Sequence, residues 1–424
     1  MANLIRSILA NARGRVSRLV VPLSQQPPSS KLYPRRSFPE EAYDYTHGGY
    51  HPVSLGDTFD SKRYTILRKL GYGEYSTVWL ARDLKCQRYV ALKILRADSY
   101  GGPQPIFECE ILAKIREVSR RSSHEGPKYI SPLLDQFSHR GPNGDHVCLV
   151  FDVLGYHLGL QTAFYQNGPL PGKAAKEIIR QILTGLDFLH RECGVIHTDL
   201  KPQNILLELE NPSDTISKYL DSVPPRTTEG PNGAIVPLQE AIHTPLVHEM
   251  ASLRVRIIDF GVSSWRERHL SDMIQPLQLR APEVTIGAPW DTGVDIWSLG
   301  CLSMQFVLGI KCFRGEASES GAYTAEDYQL AGFLETFGPF PPSLLKQGRR
   351  ASQYFDEQGK LHRHPFDVGT GDERTAKEIK LVLPLDMPEN ELAVFVDFVK
   401  EGMLQLDPLK RKSAAELLQH DWLS

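Results

Sequence analysis

The chain has 424 residues, 41% of them hydrophobic, and a formal net charge of −3. It is long enough to bury more than one core, and its charge balance excludes a bulk-electrostatic attraction to nucleic acid or an acidic membrane. The six cysteines, Cys86, Cys109, Cys148, Cys193, Cys301 and Cys312, show no Cys-x-x-Cys spacing; this argues against a disulfide framework or zinc site, and no apolar run approaches the roughly eighteen residues needed to span a bilayer.

Residues 1–41 differ from the rest. Arg6, Arg13, Arg15 and Arg18 alternate with apolar residues, and no acid precedes Glu40. That composition suits a disordered basic tail, the expected reading, or a mitochondrial transit peptide, the alternative. Pro27-Pro-Ser-Ser30 reads as linker.

Next, Leu70-Gly-Tyr-Gly-Glu-Tyr-Ser-Thr-Val78 sets Gly71 and Gly73 in a run of strand formers. Backbone without a Cβ can approach phosphate oxygens closely, although a Gly-x-Gly in a hairpin is often only a turn. In Val90-Ala-Leu-Lys-Ile94, Lys93 alternates with apolar residues and so points into a covered face, where an unpaired ammonium is costly. Its expected role is to grip the α- and β-phosphates of a nucleotide while paired with a glutamate on the following helix. That helix is predicted over Pro105–Arg121, with Phe107, Ile111, Ile115 and Val118 at helical intervals. It offers both Glu108 and Glu110, and periodicity does not choose between them. A second long helix is predicted over Lys173–Arg191, with Ile178, Ile182, Leu186 and Leu189 on one face.

The most informative stretch is Val195-Ile-His-Thr-Asp-Leu-Lys-Pro-Gln-Asn-Ile-Leu-Leu207. It brings together a candidate base (Asp199), a cation (Lys201) and an amide oxygen (Asn204), flanked on both sides by apolar residues that would hold the loop on buried strands. Glu208 to Ser252 follows, with six prolines and little periodicity; it is expected to be a surface excursion, most simply an inert loop. Val255-Arg-Ile-Ile-Asp-Phe-Gly261 then ends a strand at Asp259, either a turn residue or, after Lys93 and the Asp199 loop, a metal ligand. Later fragments are Arg280-Ala-Pro-Glu283, Asp295-Ile-Trp-Ser-Leu-Gly300 and Asp407-Pro-Leu-Lys-Arg411. Asp295 is expected to accept backbone donors of the Asp199 loop, and Arg411 to pair with Glu283.

In this order the fragments resemble the eukaryotic protein kinases. The resemblance implies an α+β bilobal fold: a small β-rich lobe, with its leading segment, over 42–154, and a helical lobe over 155–424 carrying a short spacer at 208–252. It also implies ATP and Mg2+ as cofactors, Asp199 as the base that accepts the hydroxyl proton, Lys201 on the transferring phosphoryl group, and Asn204 and Asp259 as magnesium ligands. Gly48-Gly-Tyr-His-Pro-Val53, Ser76-Thr-Val-Trp-Leu80, Leu149-Val-Phe-Asp-Val-Leu-Gly155, His197-Thr-Asp199, Tyr323-Thr324 with Glu326-Asp327, and Leu417-Leu-Gln-His-Asp-Trp-Leu423 narrow the resemblance to the serine/arginine-protein kinases of the CMGC group. By that resemblance Glu110 is the partner of Lys93. Leu70, Gly71, Gly73, Val78, Ala91 and Phe151 would surround the nucleotide, and the backbone of Asp152 and Leu154 would bind adenine. The substrates would be Arg/Ser-rich splicing factors, bound through an acidic groove in which Glu335 matches a position and Asp327 lies one residue out of register.

The chain departs from the pattern at Phe260, where that family commonly has Leu, at Gln203, where it has Glu, and along Gln275–Arg280. Thr198 stands where most kinases carry an arginine that reads a phosphate on the activation segment, and a threonine has no charge to offer an anion. Activity without activation-segment phosphorylation is therefore expected, although serines stand at 263, 264 and 271. A monomer in cytoplasm and nucleus is the default expectation, and the charge balance leads us to expect no direct binding of nucleic acid. The alternatives are a CMGC kinase of another substrate preference and a pseudokinase scaffold.

Overall fold

The computed structural model describes residues 16–18, 42–100, 106–229, 235–365, 381–384 and 386–424. Apart from a short strand β1 (Val16–Arg18), which pairs in parallel with Leu381–Leu383, the arginine-rich tail and its targeting question lie outside the described residues.

Period-two alternation in the first half of the chain builds a six-stranded antiparallel sheet. Its strands are β2 (Thr58–Phe59), β3 (Tyr64–Gly73), β4 (Ser76–Asp83), β5 (Arg88–Leu95), β6 (Asp135–Gly141) and β7 (Gly144–Phe151), ordered β2-β3-β4-β5-β7-β6. One face buries Tyr64, Ile66, Trp79, Val90, Leu92, Ile94 and Val150 together with Val53 and Phe59; each large side chain so covered contributes on the order of 2 kcal/mol. Register opposes Lys93 to Val78 on one side and to Leu149 on the other, so the lysine has the covered setting its alternation predicts. The leading segment is tied to this sheet: the Tyr50 hydroxyl donates to the Gly73 carbonyl, and the Gly48 N–H donates to Asn143 O at 2.8 Å.

Helix α1 (Glu108–Arg121) follows β5 and buries Ile111, Leu112, Ile115 and Val118. It starts later than the predicted Pro105, with Phe107 at its N-cap. Short strand β8 (Leu154–His157) and helix α2 (Leu158–Phe164) lead into α3 (Gly172–Asp187), which one π-turn extends to Cys193 before Gly194, at φ 65°, ends it. The apolar stripe seen in the sequence is this helix's buried face. Strands β9 (Val195–Ile196) and β10 (Ile205–Glu208) bracket the Asp199 loop.

The spacer is the main correction to the sequence reading. It forms helix α4 (Pro212–Ser222) and a hairpin of β11 (Thr227–Glu229) with β12 (Ile235–Pro237), and then lies along the small lobe. Gln239 forms an isolated parallel bridge with Lys69 of β3, and the Glu240 N–H donates to Lys69 O at 2.9 Å. Ile216, Tyr219 and Ile242 pack on Leu80 of the sheet. Buried Glu240 accepts from the Tyr219 hydroxyl at 2.6 Å and from the Arg226 N–H at 2.9 Å, and lies 3.5 Å from Arg68. No local periodicity could show this, because the apolar partners are supplied by strands about 140 residues upstream.

Strand β13 (Val255–Ile257) pairs with β10, Ile205 opposite Ile257, and β14 (Ser264–Trp265) with β9. Two helices follow, α5 (Pro282–Ile286) and α6 (Gly293–Leu308), the latter buried almost all round, as expected for a helix that is apolar on every face. Helix α7 (Ala325–Phe337), helices at Pro342–Gln347, Ala351–Tyr354, Glu389–Lys400 and Ala414–Leu417, and strand β15 (Leu381–Leu383) complete the helical lobe.

Candidate active site

The β10–β13 register sets two strand ends side by side. Asn204 immediately precedes β10 and Asp259 lies two residues after β13; the Ile258 N–H donates to Asn204 O at 3.0 Å. Asp199 and Lys201 occupy the loop between β9 and β10. Lys201 Nζ lies 2.7 Å from Asp199 Oδ2, and Asn204 Nδ2 donates to that same oxygen and to Asp199 O, both at 2.9 Å. The candidate base is thereby fixed in orientation by the two neighbours its sequence spacing predicted.

That loop is held from beneath. Asp295, fully buried at the start of α6, accepts the N–H groups of His197 and Thr198, each at 2.8 Å, and pairs with His190 Nε2 at 2.9 Å. Burial pushes the Asp295 carboxyl up, but the His190 bond and those backbone donors bring it below the ordinary carboxylate range. Arg411 clamps Glu283 in a bidentate pair at 2.7 and 3.0 Å, with both side chains fully buried. Both structural pairings agree with the sequence expectation; His190 carried no sequence signal.

Across the cleft, Lys93 Nζ lies 2.6 Å from Glu108 Oε1 and 2.9 Å from Asp259 Oδ1. Glu108 is 1% exposed, whereas Glu110 lies on the exposed side of α1. The helix partner of Lys93 is therefore Glu108, and the assignment to Glu110 is corrected. Two positions along a helix turn a side chain by some 200°, so only one of the two acids faces the sheet. Burial would strip Lys93 of its proton, but the charges of Asp259 and Glu108 outweigh it and hold the ammonium above its usual range. The Lys93 charge in turn holds Asp259 down at about 2.

Asp259 has φ 67° and Thr198 φ 66°, left-handed conformations that cost a non-glycine residue roughly 1–3 kcal/mol. The surrounding bonds hold Thr198 there: its hydroxyl donates to Val262 O at 2.7 Å. His197 Nε2 meets Ile258 O at 2.9 Å, and its ring lies edge-on to Phe260. The segment after Asp259 is thus tied directly to the loop. Ser263 and Ser264 are buried; Ser271 is exposed.

One cavity of about 1300 Å3 unites these groups. Leu70, Gly71, Gly73, Val78, Ala91, Lys93, Phe151, Asp152, Leu154, Lys201, Asn204 and Asp259 line it, as do Leu206 and Gln239. Leu206 is half-buried between fully buried Ile205 and Leu207; the same period-two logic applied to β10 would have found it. Gln239 belongs to the spacer and had no sequence signal; its Nε2 would lie 3.5 Å from a Cβ at Gly71. Among the described residues no group of three or more His, Cys, Asp or Glu side chains is placed to hold a metal. Asn204 and Asp259 together offer hard oxygen donors, and Lys93 engages only one of the two Asp259 oxygens. This fits a magnesium ion that takes its remaining ligands from phosphates and water.

The candidate docking acid Glu335 and the out-of-register Asp327 both have partners. Glu335 lies 3.9 Å from His364. Asp327 is fully buried, caps α7 through the Thr324 N–H and hydroxyl, and pairs with Arg363 at 2.9 Å.

A two-lobed fold with this cleft defines a protein kinase, and residues 64–423 match the protein kinase domain family. The kinase-domain structure of PF14_0431 shares the fold, with a TM-score of 0.64 at 24% identity over 88% of this chain and 99% of that one. The serine/threonine-protein kinase SRPK of Physarum polycephalum is 34% identical over 91% of each chain. Protein kinase dsk1 of Schizosaccharomyces pombe is 30% identical over 91% of this chain and 85% of its own, and SRSF protein kinase 3 of mouse 27% identical over 91% and 90%. The chain belongs to the protein serine/threonine kinases, in the serine/arginine-protein kinase branch of the CMGC group.

Proposed function

We propose that the chain transfers the γ-phosphoryl group of ATP to serine in Arg/Ser-rich proteins of the splicing-factor type. The names of its relatives support the substrate class. The observation that carries the chemistry is Asp199 held between Lys201 and Asn204, two residues that line the cavity shared with the Lys93–Asp259 pair. Asp199 orients the acceptor hydroxyl and takes its proton. Lys201 offsets charge on the transferring group. Lys93, kept cationic by Glu108 and Asp259, holds the α- and β-phosphates, and the backbone of Asp152 and Leu154 receives adenine beneath Leu70, Val78 and Ala91. Magnesium, when bound, would shield the phosphate charge; Asn204 and Asp259 would hold it.

The pseudokinase alternative is disfavoured because the lysine, base and both metal ligands are all present and converge. The boundaries near 42–154 and 155–424, a monomeric state without direct nucleic-acid binding, and residence in nucleus and cytoplasm are part of the same proposal. No helix among the described residues is long and apolar enough to cross a membrane.

A peptide array of Arg-Ser repeats against Ser-Pro peptides tests the substrate class; transfer confined to Ser-Pro would place the chain with another CMGC preference. Thr198, bonded straight to Val262 O, replaces a phosphate-reading arginine, so phosphatase-treated protein made in bacteria should be active. Activity appearing only after an upstream kinase has acted would overturn that.

A further inference from the structure

The spacer supplies one edge of the nucleotide cavity, and it does so from a fixed backbone. Gln239 forms a parallel bridge with Lys69 of β3, the Glu240 N–H donates to Lys69 O at 2.9 Å, and the Leu238 N–H donates to Arg226 O at 2.9 Å. The buried Glu240 carboxylate is engaged by the Tyr219 hydroxyl and the Arg226 N–H. The Gln239 carbonyl accepts from Arg226 Nη1 at 3.2 Å. Its side-chain amide is different: it lies on the cavity wall, exposed, with no hydrogen-bond partner among the described residues.

Strand register settles which face of the sheet that amide is on. Gly71 of β3 pairs with Val78 of β4, and Val78 pairs with Lys93 of β5. Directly opposed residues of antiparallel strands send their side chains to the same face. Lys93 meets Glu108 and Asp259 on its face, which is therefore the cleft face. A Cβ at Gly71 would point into the cleft, and the nearest atom it would meet is Gln239 Nε2, at 3.5 Å. On the reading above, Leu70 covers the base and the glycine backbone approaches the phosphates. Gly71 follows Leu70 at once, so the amide beneath it stands at the sugar that joins base to phosphates. Each sugar hydroxyl both donates and accepts, and a primary amide answers it in either sense. It does so without adding negative charge beside the phosphates, as a carboxylate would.

We infer that Gln239 is a nucleotide-specificity residue supplied by the spacer: its amide hydrogen-bonds a ribose hydroxyl of the bound nucleoside triphosphate, so that the chain favours ribonucleotides over deoxyribonucleotides. This rests on the ATP-dependent reading above and adds a named contact to it. The spacer, on this account, contributes directly to ligand recognition as well as packing on the small lobe.

Equilibrium binding tests it in the intact chain, with no acceptor present. Kd is measured by titration calorimetry in magnesium buffer for ATP, 2′-deoxy-ATP and 3′-deoxy-ATP, with the parent protein and with Gln239→Ala. The parent should bind ATP about threefold to tenfold more tightly than at least one deoxy analogue, the worth of one neutral hydrogen bond. In Gln239→Ala that ratio should fall by about the same factor, because ATP loses a bond that the deoxy analogue never made. Affinity for that analogue should stay within about twofold of the parent value, as is usual for surface changes. Misfolded chain lowers the stoichiometry and leaves Kd intact, so poor folding of the variant cannot imitate the result. A preference lost only against the 2′-deoxy analogue assigns the contact to the 2′-hydroxyl, one lost only against the 3′-deoxy analogue to the 3′-hydroxyl, and either supports the inference. Equal weakening of all three nucleotides in Gln239→Ala, or no change in any of them, overturns the ribose contact and leaves the kinase reading standing. Failure of the parent protein to bind ATP overturns both.

Discussion

Two buried ion pairs in this molecule are built from the same chemistry and finished differently. Arg411 and Glu283 are fully buried in the helical lobe, and the guanidinium also reaches Gly293 O at 2.7 Å and Gln405 O at 3.0 Å, so both groups are saturated. Lys93 also has two carboxylate partners, but the Asp259 side chain is 43% exposed and has one oxygen left over. The saturated pair holds the lobe together. The open one holds charge where a ligand can still reach it. Completeness of the bonding, not burial of charge as such, separates structural from functional ionic groups here.

Removing the base tests the open region at its strongest. Asp199→Asn should keep nucleotide binding and lower kcat by about 10²–10⁴-fold, the usual contribution of a positioned base; unchanged turnover would mean another group takes the proton. On the saturated side, Glu283→Ala should lower unfolding stability by about 3–5 kcal/mol, because it strands a buried guanidinium. Denaturant unfolding of the two variants gives the comparison directly, since Asp199→Asn should leave the midpoint nearly unmoved.

A finer cut separates neighbours on α1. Glu108→Ala should cost about 10- to 100-fold in kcat/KM by releasing Lys93 from position, whereas Glu110→Ala, on the exposed side, should stay within about twofold of the parent enzyme, as is typical of surface changes. Equal losses in steady-state assays would restore Glu110 as a partner.

The smallest effect concerns stability against pH in the small lobe. His51 is buried against His139 and His146, with ring centroids 4.7 and 5.0 Å away, and burial first, then those two rings, pull its pKa down to about 4. The unfolded chain therefore binds the proton more readily. The stabilising contribution is fully present above about pH 6.5 and is lost as pH falls toward 4. His51→Gln should flatten the dependence of Tm on pH in that window; an equally steep curve would place the titration elsewhere.

Much of the site was readable because it is carried by short-range spacing. Asp199, Lys201 and Asn204 lie within six residues, and Lys93 betrays itself by alternation in a strand. The choice between Glu108 and Glu110 was not readable from periodicity, and the family resemblance chose wrongly, since the phase of a helix against a sheet is set by tertiary packing, which the spacing within the helix does not record. The spacer was missed for a related reason. Its prolines and sparse periodicity describe a loop when seen alone, while Glu240 and Ile242 acquire meaning only against Arg68 and Leu80. Asp327, one residue out of register with a docking position, serves as a helix cap with an arginine partner.

By itself, then, the amino-acid sequence determined the class of chemistry, the order of the catalytic groups and the strands and helices that bear them, because each of these is encoded within a few consecutive residues. Tertiary structure alone decided which glutamate meets Lys93, that the spacer crosses to the small lobe, and that Asp327 is taken up as a helix cap. Those outcomes depend on contacts between separate segments, fifteen residues apart for Lys93 and Glu108 and more than a hundred for the spacer and the sheet, which folding sets and no local pattern records.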